Sequence, residues 1–95
     1  MANNFLPLNN YAPVGCKTIP LLVGADVPFT NGAGQPIISK KIIVWSVGNI
    51  AVLTEEGGID VIPVSTVPFL IELAATRVFG TGSGSSPGMS FTYLY

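Results

Sequence analysis

The sequence predicts an all-β protein, a small antiparallel β-sandwich or barrel with an extended N-terminal arm. Three observations carry that expectation. The chain is rich in the β-branched and aromatic residues that suit half-buried pleated strands. These residues fall into short runs at the spacing of a sandwich or barrel. The runs are parted by turn residues, with 11 glycines and 8 prolines among 95 residues. A chain of this length has room for one domain and one core, read as an arm over 1–18 and a β-domain over 19–95.

Residues 1–18 carry two Asn-Asn pairs, Pro7 and Pro13, and isolated apolar residues, with no period of 2 or 3.6. Proline fixes its own φ and pushes its predecessor toward extended geometry, so an irregular arm is expected. The arm reads either as a frayed terminus or, because Phe5, Leu8 and Tyr11 within it are large apolar groups, as an anchor on a neighbouring subunit. Strands are then expected near 19–24, 27–30, 37–47, 50–54, 59–64, 69–79 and 89–95. Gly48-Asn49 and Gly57-Gly58 supply the positive φ of tight hairpins. In the penultimate strand Phe69, Ile71, Leu73, Ala75, Arg77 and Phe79 share one face; in the last, Met89, Phe91, Tyr93 and Tyr95 do. These two strands read as a hairpin with a long small-residue connection, Gly80 to Gly88, whose tip is expected to be mobile or ordered by a partner. Leu, Glu and Ala residues between Val67 and Arg77 also suit a short helix started by Pro68, but β-rich neighbours favour the strand.

The chain is 48% hydrophobic with four basic and five acidic residues. A domain this small hides only roughly 60–65% of its unfolded surface, so apolar groups are left over for contact with other subunits, and a homo-oligomer is expected. Ile42 to Trp45 is apolar on both strand faces, as in a central strand covered on both sides or in one with a face buried by assembly; assembly is favoured, which makes Ile43, Trp45 and Val47 interface candidates beside Phe5, Leu8 and Tyr11. The scattered Lys17, Lys40, Lys41 and Arg77 give no footprint for a phosphate backbone, so nucleic acid is not an expected partner. Apolar runs such as Ile42 to Trp45 fall far short of the roughly 18 residues of a membrane span. The start Met1-Ala2-Asn3-Asn4 lacks the basic region of a signal peptide, so a soluble protein made in the cytoplasm is expected.

With no histidine, the Ser-His-Asp and Cys-His arrangements are unavailable. Glu55, Glu56, Asp60 and Glu72 are the carboxylates from which an acid–base pair would have to come, but Glu55 and Glu56 fall in a turn, where charge is ordinary. One cysteine and no histidine exclude the usual zinc sites, and Cys16 has only Lys17 nearby to activate it. No metal, cofactor or catalytic residue is expected. The Gly80-x-Gly82-x-Gly84 stretch lacks the Gly-Lys-Ser/Thr ending of a P-loop. A second candidate site joins Gly82, Ser83 and Gly84 to Phe91 and Tyr93, whose rings would stack on a sugar or seat a partner, although core packing or a subunit contact is the better reading of these aromatics.

From Gly48 onward the order of segments carries a resemblance. A Gly-Asn pair leads into Ile-Ala-Val-Leu-Thr, a Glu-Glu-Gly-Gly turn and Ile-Asp-Val-Ile-Pro-Val; later come Ala75-Thr76-Arg77-Val78-Phe79-Gly80-Thr81-Gly82 and a terminal Thr92-Tyr93-Leu94-Tyr95. This half of the chain resembles a group of small virion structural proteins of tailed bacteriophages, of the capsid cement or spike-base kind. The Gly80–Gly88 loop departs from their shorter Thr-rich turn. The resemblance implies a non-enzymatic capsid decoration protein on the virion surface, made in the host cytoplasm, assembled as a dimer or trimer and bound to the major capsid protein. The alternative it leaves open is a spike base or a receptor- or glycan-binding module.

Overall fold

The computed structural model describes residues 15–95; Phe5, Leu8 and Tyr11 lie outside the described residues. Two four-stranded antiparallel sheets make a small β-sandwich. The first contains, in spatial order, β1 (Cys16–Ile19), β8 (Phe91–Leu94), β3 (Lys41–Val44) and β6 (Phe69–Ile71). The second contains β2 (Val27–Pro28), β7 (Ala75–Val78), β4 (Gly48–Thr54) and β5 (Ile59–Val64).

The expected all-β class stands, with the bounds of its elements redrawn. The first strand begins at Cys16 rather than residue 19, so the end of the expected arm is part of the first sheet, paired with β8 from Cys16–Leu94 to Ile19–Phe91. The long runs expected at 37–47 and 69–79 shrink to β3 and to two strands, β6 and β7, with no helix between them.

The larger correction is topological. The chain changes sheet at each connection except the one between β4 and β5. That hairpin is where it was expected, and Gly57 takes the positive φ of its turn (92°) while its N–H bonds Thr54 O at 3.0 Å. Gly48-Asn49 opens β4 instead of closing a hairpin, because β3 and β4 lie in different sheets. The last two strands are likewise no hairpin. β7 lies between β2 and β4, whereas β8 lies between β1 and β3.

Alternation decides what is buried. Met89, Phe91 and Tyr93 point inward and are fully buried, joined by Ile42 and Val44 of β3, Ile50 and Val52 of β4, and Val78 of β7. Strict alternation fails in β7, where Ala75 and Val78 are both buried. The reason is a bulge: Thr54 pairs with Ala75 but Leu53 with Arg77, so one extra residue flips the parity of the strand.

Aromatic contacts bind the sheets to each other. The Tyr93 ring stacks on Phe29, just past β2, at a centroid distance of 4.1 Å. Its hydroxyl donates to Thr30 O at 2.9 Å and accepts from Thr30 N at 3.1 Å. The chain then turns back at 31–35, where Asn31 Oδ1 accepts from the Ala33 and Gln35 amides. Because Tyr93 is fully buried, Tyr93→Phe leaves both Thr30 main-chain groups without this partner. The expected cost is about 2 kcal/mol, a fall in Tm of roughly 10 °C for a domain of this size. Thermal denaturation followed by circular dichroism measures it, and a Tm equal to wild type contradicts the bridge.

Candidate functional site

The most distinctive surface is the outer face of the first sheet. In β3, Ile42 and Val44 face the core, so Ile43 and the following Trp45 face out. The ladder sets Thr18, Thr92, Ile43 and Leu70 side by side across all four strands. Leu70 is 50% exposed and Trp45 46%. Within these strands the face carries one charged side chain, Lys41, in register with Leu94 and Cys16 at its end.

Trp45 is held in place. Its main-chain N–H bonds Ser90 O at 2.9 Å, continuing the β3–β8 ladder. Its indole Nε1 donates to Thr92 Oγ1 at 2.9 Å, and Thr92 Oγ1 lies 2.8 Å from Thr18 Oγ1. The indole can lie over β8 because Ser90 and Thr92, the outward residues there, are small. Its polar edge is satisfied by the Thr92 hydroxyl while much of its apolar body stays in contact with solvent. Such a pre-ordered aromatic loses little side-chain entropy on meeting a partner.

Of the predicted interface residues, Ile43 and Trp45 come together on this face. Val47 is exposed on the segment that crosses to the second sheet. Leu70, Thr18 and Thr92 complete the face and escape a sequence reading, since only cross-strand register brings them beside Ile43.

The second candidate site does not assemble. Phe91 and Tyr93 are fully buried in the core and present no ring to a ligand. Gly82, Ser83 and Gly84 are exposed, but the loop that carries them packs against β4. Ser86 N bonds Asn49 O at 2.8 Å, and Asn49 N bonds Ser86 Oγ at 2.9 Å. Ser85 Oγ, buried, accepts from Ala51 N at 2.9 Å and donates to Phe79 O at 2.6 Å. The loop, expected to be mobile or ordered by a partner, is thus ordered by its own chain, replacing β7 as the neighbour of the first half of β4. Its start is fixed too: Gly80 N bonds Asp26 Oδ1 at 2.8 Å, and a Cβ on Gly80 would lie 2.2 Å from Gly24 O, so only glycine fits.

The candidate carboxylates divide between two depressions. Glu55, Glu56 and Asp60 line one shallow depression beside the β4–β5 turn, and Glu72 lines another. Among the described residues no cluster of three Asp, Glu or Cys side chains is placed to hold a metal ion. Cys16 is an exposed free thiol. An open cleft of about 720 Å³, walled chiefly by Pro28, Phe29, Pro36, Ile37 and Tyr95, is mostly apolar. Compared with protein-family models, curated proteins and solved structures, the chain matches none.

The pinning of the loop by Ser85 has a measurable consequence. Ser85→Ala removes the acceptor of a buried amide and the donor to a buried carbonyl, at an expected cost of about 2 kcal/mol. Amide exchange at Ala51 should speed up more than at Val52, whose N–H faces β5. Equal acceleration at both positions contradicts a local seam.

Proposed function

We propose that the protein is a non-enzymatic virion structural protein of a tailed phage, a capsid cement or decoration protein that binds the major capsid protein through the outer face of the first sheet. The observation that carries the reading is the exposed, hydroxyl-pinned Trp45 flanked by Ile43 and Leu70. Aromatic residues fixed in a flat apolar patch are the usual anchors of protein interfaces. Support also comes from the resemblance of residues 48–95 to small phage virion proteins and from a composition with few charges and no histidine. A subunit repeated many times over a shell needs only a modest contact per copy, at about 25 cal/mol per Å² of apolar area before ordering costs. The glycan-binding form of the alternative loses its carriers, because Phe91 and Tyr93 are core residues.

Replacing Trp45 with Ala tests the reading by co-sedimentation with shells lacking the protein. Loss of a central aromatic anchor should weaken binding by about 2 kcal/mol, some 30-fold in Kd. The Tm should fall by several degrees, since a half-covered ring and its Nε1 bond to Thr92 are lost, and circular dichroism checks that the variant is folded at the assay temperature. Binding equal to wild type in a folded Trp45→Ala variant contradicts the proposal.

A further inference from the structure

A sheet edge leaves main-chain donors and acceptors open to a further strand. Three of the four edges here are short: β2 has 2 residues, β6 has 3, and β1 has 4, among them the exposed Lys17. The fourth, β5, has 6 residues and no basic side chain, and its Ile59 and Val61 are 64% and 53% exposed.

The phase of the β4–β5 ladder fixes which groups point away. Thr54 N bonds Gly58 O at 2.8 Å. In this register the bonded pairs that follow are Val52–Asp60, Ile50–Ile62 and Gly48–Val64. Phe79 N bonding Ala51 O on the opposite side of β4 fits the same phase. The main-chain groups of Ile59, Val61 and Pro63 therefore face outward, and among the described residues they meet no hydrogen-bond partner. They offer the N–H groups of Ile59 and Val61 and the carbonyls of all three, Pro63 having no N–H to give.

We propose that this edge pairs with β5 of a second copy, antiparallel about a two-fold axis at Val61, and joins the two second sheets into one. Val61 then lies opposite the partner's Val61 and exchanges both main-chain bonds with it. Ile59 lies opposite the partner's Pro63 and donates to its carbonyl. The missing proline N–H leaves only the Ile59 carbonyl, at the rim where water reaches it. A register centred on Asp60 would use the same donors, but it would set two Asp60 carboxylates on facing residues about 4.5 Å apart at Cα, a destabilising like-charge pair. Centred on Val61, Asp60 lies beside the partner's Ile62 instead. The outward side chains Ile59, Val61 and Pro63 of both copies then form one apolar stripe. Edge and register are self-complementary, as a closed two-fold interface requires, which is why the occupant is a second copy rather than a foreign strand. Trp45 and the first sheet take no part, so this proposal and the proposed function fail independently.

Sedimentation equilibrium of the full chain tests it, with Val61→Pro and Val61→Lys as variants. The wild type should be a dimer, and each variant should dimerise roughly 100-fold more weakly, while Trp45→Ala dimerises as wild type. The Val61 N–H makes no bond to β4, so the variants should keep the fold, which circular dichroism verifies; Val61→Lys covers the case in which proline bends the strand. In a Cys16→Ser background, Val61→Cys should form a disulfide-linked dimer on oxidation faster than Asp60→Cys, since facing residues at the axis lie within disulfide range. A monomeric wild type, a dimer unaffected by Val61→Lys, or faster cross-linking through Asp60→Cys would each overturn the proposal.

Discussion

The stack of Tyr93 on Phe29, closed by the Tyr93 hydroxyl on Thr30, is the contact on which the arrangement of both sheets depends. Tyr93 stands on an inner strand of the first sheet, and Phe29 follows the edge strand of the second. Their union fixes the phase of β8: with Phe91 and Tyr93 inward, Thr92 and Ser90 must face out. That choice makes the outer surface of the first sheet shallow enough for Trp45 to lie across it. The same alternation therefore builds the core and prepares the exposed face, and slipping β8 by one residue would lose both.

Few charges contribute. Arg77 and Asp26 approach to 3.9 Å with both side chains partly exposed, a geometry of small net value. Hydroxyl groups supply the polar links instead. Ser39 Oγ, buried, donates to Leu73 O and accepts from Ala75 N, which ties the segment before β3 to β7. Ser46 Oγ bonds Ser90 N and Ser90 Oγ where β3 ends. Ser85 does the same for the long loop. A chain with so few ionic groups can still satisfy its buried main chain, because a hydroxyl donates and accepts at once.

Much of the fold was legible where the signal is local. The alternation of Met89, Phe91, Tyr93 and the glycine turn between β4 and β5 were both readable, because each depends on neighbours in sequence. What failed depends on partners far along the chain. Nothing in residues 69–95 reveals that β7 and β8 belong to different sheets, so a hairpin was the natural expectation and the structure overturns it. Alternation grouped Phe91 with Tyr93, but it does not say which face is inward; a ligand face and a core face read alike. The bulge at Thr76 is likewise silent, since it arises from pairing with β4. Of the candidate site, Ile43 and Trp45 stood out as an apolar run with two faces, whereas Leu70 and Thr92 become members only through register.

Trp45 is the single tryptophan of the chain, so its fluorescence reports the outer face without interference. Acrylamide quenching of the free protein and of the protein bound to shells tests the proposal that partner contact covers this face. Efficient quenching is expected in the free protein and strong protection when it is bound. An indole already shielded in the free protein, or one equally quenched in both states, contradicts it.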